Sequence, residues 1–137
     1  MKKIILITGA AGMVGSNLIK KYINQDVQII GIDSLKLGKI KYIKPYKKKK
    51  NFLFFNIDLS KKIKNINIEN ILKKNYLYEI WHLAANSDIQ SGIVDYEVDL
   101  KDTFLTTFNI LNFISKYLKK NTKFIFSSSS ANASAGT

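Results

Sequence analysis

The sequence predicts an α/β protein built on a doubly wound parallel sheet of about five strands, with helices on both faces. Three observations predict it. A short apolar strand runs straight into three glycines spaced three apart, at Gly9, Gly12 and Gly15. Solid apolar runs then alternate with helical stretches to the end of the chain, the pattern of parallel strands buried on both sides. The residues with chemical character sit where the apolar runs stop, and in such sheets ligands lie outside the carboxyl ends of the strands.

The elements follow in order. Lys3 to Ile7 is the first strand and Thr8 to Gly15 the turn after it. Gly9 permits the sharp exit from the strand, Gly12 clears the side chain where a pyrophosphate must approach the backbone, and Gly15 lets the next helix lie close on the sheet. That helix spans Met13 to Asn24, with Val14, Leu18, Tyr22 and Ile23 expected on its buried face. Its first N–H groups, on Met13 and Val14 among others, would face an anion. A second strand covers Val27 to Ile32 and ends at Asp33. Ser34 to Lys50 is lysine-rich, holds the only proline, Pro45, and reads as an exposed loop.

A third strand at Phe52 to Ile57 stops at Asp58-Leu59, and a short helix follows from Ile66 to Lys74. Tyr78 to Leu83 is the fourth strand, leading into Ala84 and Ala85. A long helix is predicted from Tyr96 to Lys119, its inner face formed by Leu100, Phe104, Thr107, Phe108, Leu111 and Ile114. Lys123 to Phe126 is the fifth strand and runs into four serines, Ser127 to Ser130.

Composition sets the bounds. At 137 residues the chain is one domain, long enough for a core but short for an enzyme that must also build a substrate site. Two lysines ahead of an apolar stretch could open a secretory signal, but the glycines weaken that reading and no processing site follows. No run approaches the roughly 18 apolar residues of a membrane span. With no cysteine there are no disulfides or thiolate metal sites, which suits a cytoplasmic location, and a single histidine excludes a histidine-rich metal centre.

The net charge of +12 invites a nucleic-acid reading, above all at Lys47 to Lys50. Every basic residue is lysine, however, in a chain crowded with isoleucine and asparagine. That is a compositional drift of the kind an adenine- and thymine-rich genome produces. A dedicated nucleic-acid surface would use arginine for bidentate contacts, so no specific nucleic-acid partner is expected.

Asp33 lies 18 residues beyond Gly15, where a carboxylate would accept hydrogen bonds from an adenosine ribose. Its charge would repel a 2'-phosphate, which favours NAD over NADP. The alternative is an aspartate that only opens a turn, and Asp58 carries the same alternative. His82, between Trp81 and Leu83 in an apolar strand, reads as a structural histidine rather than a general acid or base. The serines are either a flexible tail or the source of a hydroxyl that holds a substrate oxygen; their place at a strand end favours the second.

Taken together these residues resemble the extended short-chain dehydrogenase/reductases, in their NAD-dependent epimerase/dehydratase group acting on nucleotide sugars. Thr8-Gly9-Ala10-Ala11-Gly12-Met13-Val14-Gly15 matches the Thr-Gly-x-x-Gly-x-x-Gly cofactor motif. Asp58-Leu59 matches the pair beside the adenine, and His82-Leu83-Ala84-Ala85 the stretch along the cofactor. Phe124-Ile125-Phe126 and the serines resemble the strand that delivers the catalytic serine or threonine, a role whose register falls on Ser129.

The resemblance implies a Rossmann-type domain over residues 1–130, incomplete, with an irregular tail at 131–137 and no substrate domain in this chain. It implies NAD as cofactor, a nucleotide sugar such as UDP-glucose as substrate of the complete enzyme, and often a homodimer. It departs at two points. Asp102 stands where the family usually has asparagine, and the Tyr-x-x-x-Lys pair that would follow the serines does not occur. The chain by itself is therefore expected to bind cofactor with little turnover; a stand-alone dinucleotide-binding regulatory module is the alternative.

Overall fold

The computed structural model describes residues 1–127, so Ser129 and the tail at 131–137 lie outside the described residues. Five parallel strands, β1 (Lys3–Thr8), β2 (Gln28–Asp33), β3 (Phe52–Asn56), β4 (Tyr76–His82) and β5 (Lys123–Phe126), pair in the order β3-β2-β1-β4-β5. Consecutive strands step outward from β1 to β3. The chain then crosses back to the other side of β1, so the order reverses between β1 and β4.

Both faces of the sheet are covered, as expected of a doubly wound sheet. On one side α1 (Met13–Tyr22) and the short α2 (Ile40–Ile43) pack on Ile5, Ile7, Ile29 and Phe52. On the other, α3 (Ile66–Lys74) and α6 (Thr106–Ile114) pack on Ile4, Leu6, Ile30, Ile32, Leu77 and Ile80. The alternation along β1 sends successive isoleucines and leucines to opposite cores, which is why this strand is fully buried from Ile4 to Thr8. Asn65 caps α3 by accepting the Ile68 N–H, leaving Ile68 and Leu72 to face the sheet.

Several details differ from the expectation. The Ser34 to Lys50 connection is no open loop: it contains α2 and a 3-10 turn at Lys44–Tyr46, with Pro45 in the first turn where its missing N–H costs nothing. Ile43 from this segment is fully buried and anchors it to the core. The buried face of α1 is Gly15, Ser16, Ile19 and Tyr22, whereas Val14 is exposed. Val14 lies on the side of the first turn that lines the cavity at the end of the sheet, while Gly15 and Ser16 in the same turn pack against the strand.

The predicted long helix shows the largest difference. It is preceded by α4 (Ile89–Val94), an element the periodicity did not reveal, and it runs as α5 (Tyr96–Asp99), a π-helical stretch over Leu100–Leu105, α6 and a 3-10 turn at Ser115–Tyr117. The expected inner face is mostly the outer one: Leu100, Phe104, Phe108 and Leu111 are exposed, while Thr106, Ile110, Phe113, Ile114 and Tyr117 are buried. The segment carries two apolar stripes, and hydrophobic spacing alone does not say which one meets the sheet. The π stretch adds to the difficulty, because its extra residues per turn rotate Leu100 and Phe104 away from the frame set by α6.

Candidate functional site

The reversal between β1 and β4 opens a crevice at the carboxyl end of the sheet, the position where such folds bind ligands. A cavity of about 520 Å³ occupies it. Its walls come from the turn after β1, the end of β2 and the loop beyond it, the residues following β3 and β4, and the π stretch. Every cofactor-binding residue expected from sequence lines it: Gly9, Gly12, Met13, Val14, Gly15, Asp33, Asp58, Leu59, Leu83, Ala84, Ala85 and Asp102.

The glycine turn is held by backbone. Gly9 has φ of +68°, the left-handed region, and its carbonyl oxygen accepts the Gly12 N–H at 3.1 Å. A side chain at Gly15 would place Cβ 2.8 Å from the Ala10 Cα and closer still to the Gly9 carbonyl oxygen, so only glycine lets α1 start this near the strand. A Cβ at Gly12 would meet only the Gly9 carbonyl oxygen, at 3.2 Å, and otherwise open ground beside the cavity. The first N–H groups of α1, on Met13, Val14 and Gly15, have no carbonyl one turn back to bond. With Met13 and Val14 exposed at the cavity wall, they form a site of positive potential for an anion.

Asp33 combines the two roles its position suggested. It is 8 % exposed; Oδ2 accepts the Ala11 N–H at 2.9 Å and Oδ1 the Leu35 N–H at 2.7 Å. The carboxylate thus ties the end of β2 to the glycine turn and opens the next turn. Each oxygen keeps a second acceptor position for a ligand hydroxyl. Gly38 leaves it room, since a Cβ there would come within 2.6 Å of Oδ1.

Asp58 is also a turn residue: Oδ1 accepts the Ser60 N–H at 3.0 Å and the Ser60 hydroxyl at 2.7 Å. Partial burial works to raise its pKa, but the two bonds from Ser60 and the charges of Lys36 and Lys61 outweigh it and hold the carboxyl below its ordinary value. Leu59 is buried, and its carbonyl accepts from the Asn109 side chain at 2.8 Å, which fixes this corner against α6.

His82 is structural, and its bonds define its state. The Thr8 hydroxyl oxygen accepts the backbone N–H groups of Leu83 and Ala84, at 3.0 and 3.1 Å. With both lone pairs engaged, Thr8 Oγ1 donates its proton to His82 Nδ1 at 2.7 Å. Nε2 then carries the ring proton and donates to Thr107 Oγ1 at 2.9 Å, while that hydroxyl donates to the Thr103 carbonyl. Burial pushes the His82 pKa down to about 4, in keeping with a neutral ring locked in one tautomer. This relay joins β1, β4 and the π stretch around Ala84.

Sequence reasoning missed Lys36, Ser34, Lys39, Tyr42 and Thr106, all of which line the cavity. Lys36 Nζ lies 3.6 Å from Asp58 Oδ2 and 3.3 Å from Asp102 Oδ1. Nothing in one lysine among 22 marked it out. Among the described residues no group of histidine, cysteine and carboxylate side chains is placed to hold a metal ion, and no helix is long and apolar enough to cross a membrane.

Comparison with known proteins adds to this geometry. The family profile described as GDP-mannose 4,6 dehydratase matches residues 6–132. A putative UDP-glucose 4-epimerase of Methanocaldococcus jannaschii is 29 % identical over 113 residues, 82 % of this chain and 34 % of that protein. The UDP-glucose 4-epimerase of Thermotoga maritima, solved with UDP-glucose, superposes with a TM-score of 0.74 at 28 % identity, covering 92 % of this chain and 38 % of that one. The UDP-N-acetylglucosamine 4-epimerase of Methanobrevibacter ruminantium M1, solved with UDP-N-acetylmuramic acid, gives 0.76 at 26 % identity, over 96 % of this chain and 39 % of its own. The chain spans about a third of the length of the curated relatives it matches. With the glycine turn, the strand order and the matched profile in agreement, the chain belongs to the nucleotide-sugar epimerase/dehydratase family of extended short-chain dehydrogenase/reductases, as its N-terminal part.

Proposed function

We propose that this chain is the NAD-binding portion of a nucleotide-sugar epimerase or dehydratase. The observation that carries the reading is convergence: the glycine turn, Asp33, Asp58-Leu59, Leu83 to Ala85 and Asp102 are far apart in sequence yet line one cavity at the strand-order reversal. In this reading the open N–H groups of α1 and the cleared position at Gly12 hold the pyrophosphate. Asp33 accepts from the adenosine ribose and favours NAD over NADP by charge, Asp58 and Leu59 border the adenine, and Leu83, Ala84 and Ala85 line the remainder of the dinucleotide with Asp102 opposite. Bound NAD would accept a hydride from a sugar carbon. Ser129 would hydrogen-bond the reacting sugar oxygen.

The complete enzyme would act on a nucleotide sugar in the cytoplasm, as a homodimer that buries part of the exposed stripe formed by Leu100, Phe104, Phe108 and Leu111. Calorimetric titration with NAD and NADP tests the core of the proposal. A micromolar preference for NAD over NADP, abolished by Gly12→Val or by Asp33→Ala, is expected. Indifference to both cofactors overturns it.

A further inference from the structure

We propose that Lys36 is a charge-neutralising strap across the cofactor cavity: by pairing with Asp58 beyond the neighbouring strand β3 and with Asp102 on the far wall, it makes a cavity lined by three carboxylates acceptable to an anionic dinucleotide. The inference rests on the NAD reading and extends it to a residue that no motif includes.

The charges require some such device. The charged residues lining the cavity are Asp33, Asp58 and Asp102, with Lys36 and Lys39 against them. A pyrophosphate brings two further negative charges to the same space. Asp33 is engaged by two backbone N–H groups, which spread its charge into the turn. Asp58 is partly satisfied by Ser60. Asp102 has the Lys36 ammonium as its ion-pair partner, at 3.3 Å. With Lys36 removed, the three lining carboxylates face Lys39 alone among the lining residues, with Lys61 acting on Asp58 from outside the cavity.

The backbone before Lys36 is arranged to aim it. Leu35 has φ of +63°, a left-handed conformation that a branched-chain residue adopts only at a cost. The Asp33 carboxylate holds it there by accepting the Leu35 N–H, and the Ser34 hydroxyl accepts the Lys36 N–H at 3.3 Å. The turn therefore sends the lysine away from its own loop and across the cavity to the π stretch that carries Asp102. The lysine side chain is 54 % exposed, so its ammonium keeps access to solvent and to an entering ligand.

The test compares NAD binding by this chain, by Lys36→Met and by Lys36→Met/Asp102→Asn, using calorimetry at about 50 mM salt. Lys36→Met is expected to weaken binding about tenfold, and removing the uncompensated carboxylate with Asp102→Asn should recover most of the loss. At high salt the gap should narrow, because a half-exposed pair is screened. Lys36→Met within twofold of the unaltered chain overturns the proposal. So does a double variant no tighter than the single one, which would make Lys36 a direct ligand contact with no neutralising role. If the unaltered chain does not bind NAD, the cofactor reading fails and the strap's role fails with it. A carboxyl-detected NMR titration separates these failures, because it reads the bridge without ligand: Asp58 should titrate higher in Lys36→Met, and an unchanged midpoint would show that no bridge forms.

Discussion

The two walls of the cavity are made by opposite means. The wall from β1 through the glycine turn into α1 is backbone packed on backbone, with Gly15 so close to Gly9 and Ala10 that no side chain fits. The wall from Asn86 to Thr106 is made of short helices and a π stretch held by side-chain hydrogen bonds: Asp88 and Asp95 capping their helices, Asn86 bonding Asp99, Thr106 returning to the carbonyls of Asp102 and Thr103. Large apolar residues stay exposed along it, among them Ile93, Val94, Tyr96, Leu100 and Phe104. The first wall fixes where the open N–H groups of α1 stand. The second presents side chains, Asp102 and Thr106, whose placement depends on polar contacts and can change without dismantling the sheet.

That contrast can be broken or sharpened by substitution. The largest effect is expected for Gly15→Val, where the new Cβ has nowhere to go; a loss of about 4 kcal/mol or more in urea unfolding is predicted, or failure to fold. An ordinary loss below about 1 kcal/mol would mean that the turn is far less rigid than its contacts imply.

Next comes the pH dependence of the joint between the walls. His82 has its folded-state pKa depressed to about 4 from the 6.5 of an unfolded chain. Below pH 6.5 the unfolded state binds the extra proton and the folded state does not, so stability is complete above that pH and falls as pH drops toward 4. The expected loss by pH 4 is about 3 kcal/mol, read from urea midpoints across the range. His82→Gln should flatten this part of the profile; an unchanged slope would assign it to other groups.

Thr8→Val keeps the shape of the side chain but leaves the Ala84 N–H and His82 Nδ1 without their partner, while the Leu83 N–H keeps only its bond to the Thr8 carbonyl at 3.2 Å. A loss of about 2 kcal/mol is predicted by the same measurement. The smallest effect belongs to the second wall: Phe104→Gln should change stability by no more than about 0.5 kcal/mol, since the ring is 62 % exposed. A loss like that of a core residue would mean that the outer stripe is covered.

Much of the fold could be read from sequence, and the reasons are local. Four of the strands are short runs dominated by isoleucine, leucine or phenylalanine, and β4 adds tyrosine and tryptophan to the same apolar pattern. The glycine spacing in the first turn is a covalent fact about which positions lack Cβ. Asp33 and Asp58 line one cavity because strand ends in a parallel sheet all point the same way. What failed was the orientation of the long helix, where Leu100, Phe104, Phe108 and Leu111 compete with Ile110, Phe113, Ile114 and Tyr117 for the sheet. Lys36 was invisible for a related reason, since its partners stand 22 and 66 positions away.

By itself, then, the sequence determined the alternation of strands and helices, the place of the glycine turn and the family to which the chain belongs, because these depend on residue type at short spacing. Only the tertiary structure decided which face of the last helix is buried, which tautomer His82 holds and which lysine spans the cavity. Those outcomes depend on distances between segments far apart along the chain, set once the sheet has fixed where every strand end lies.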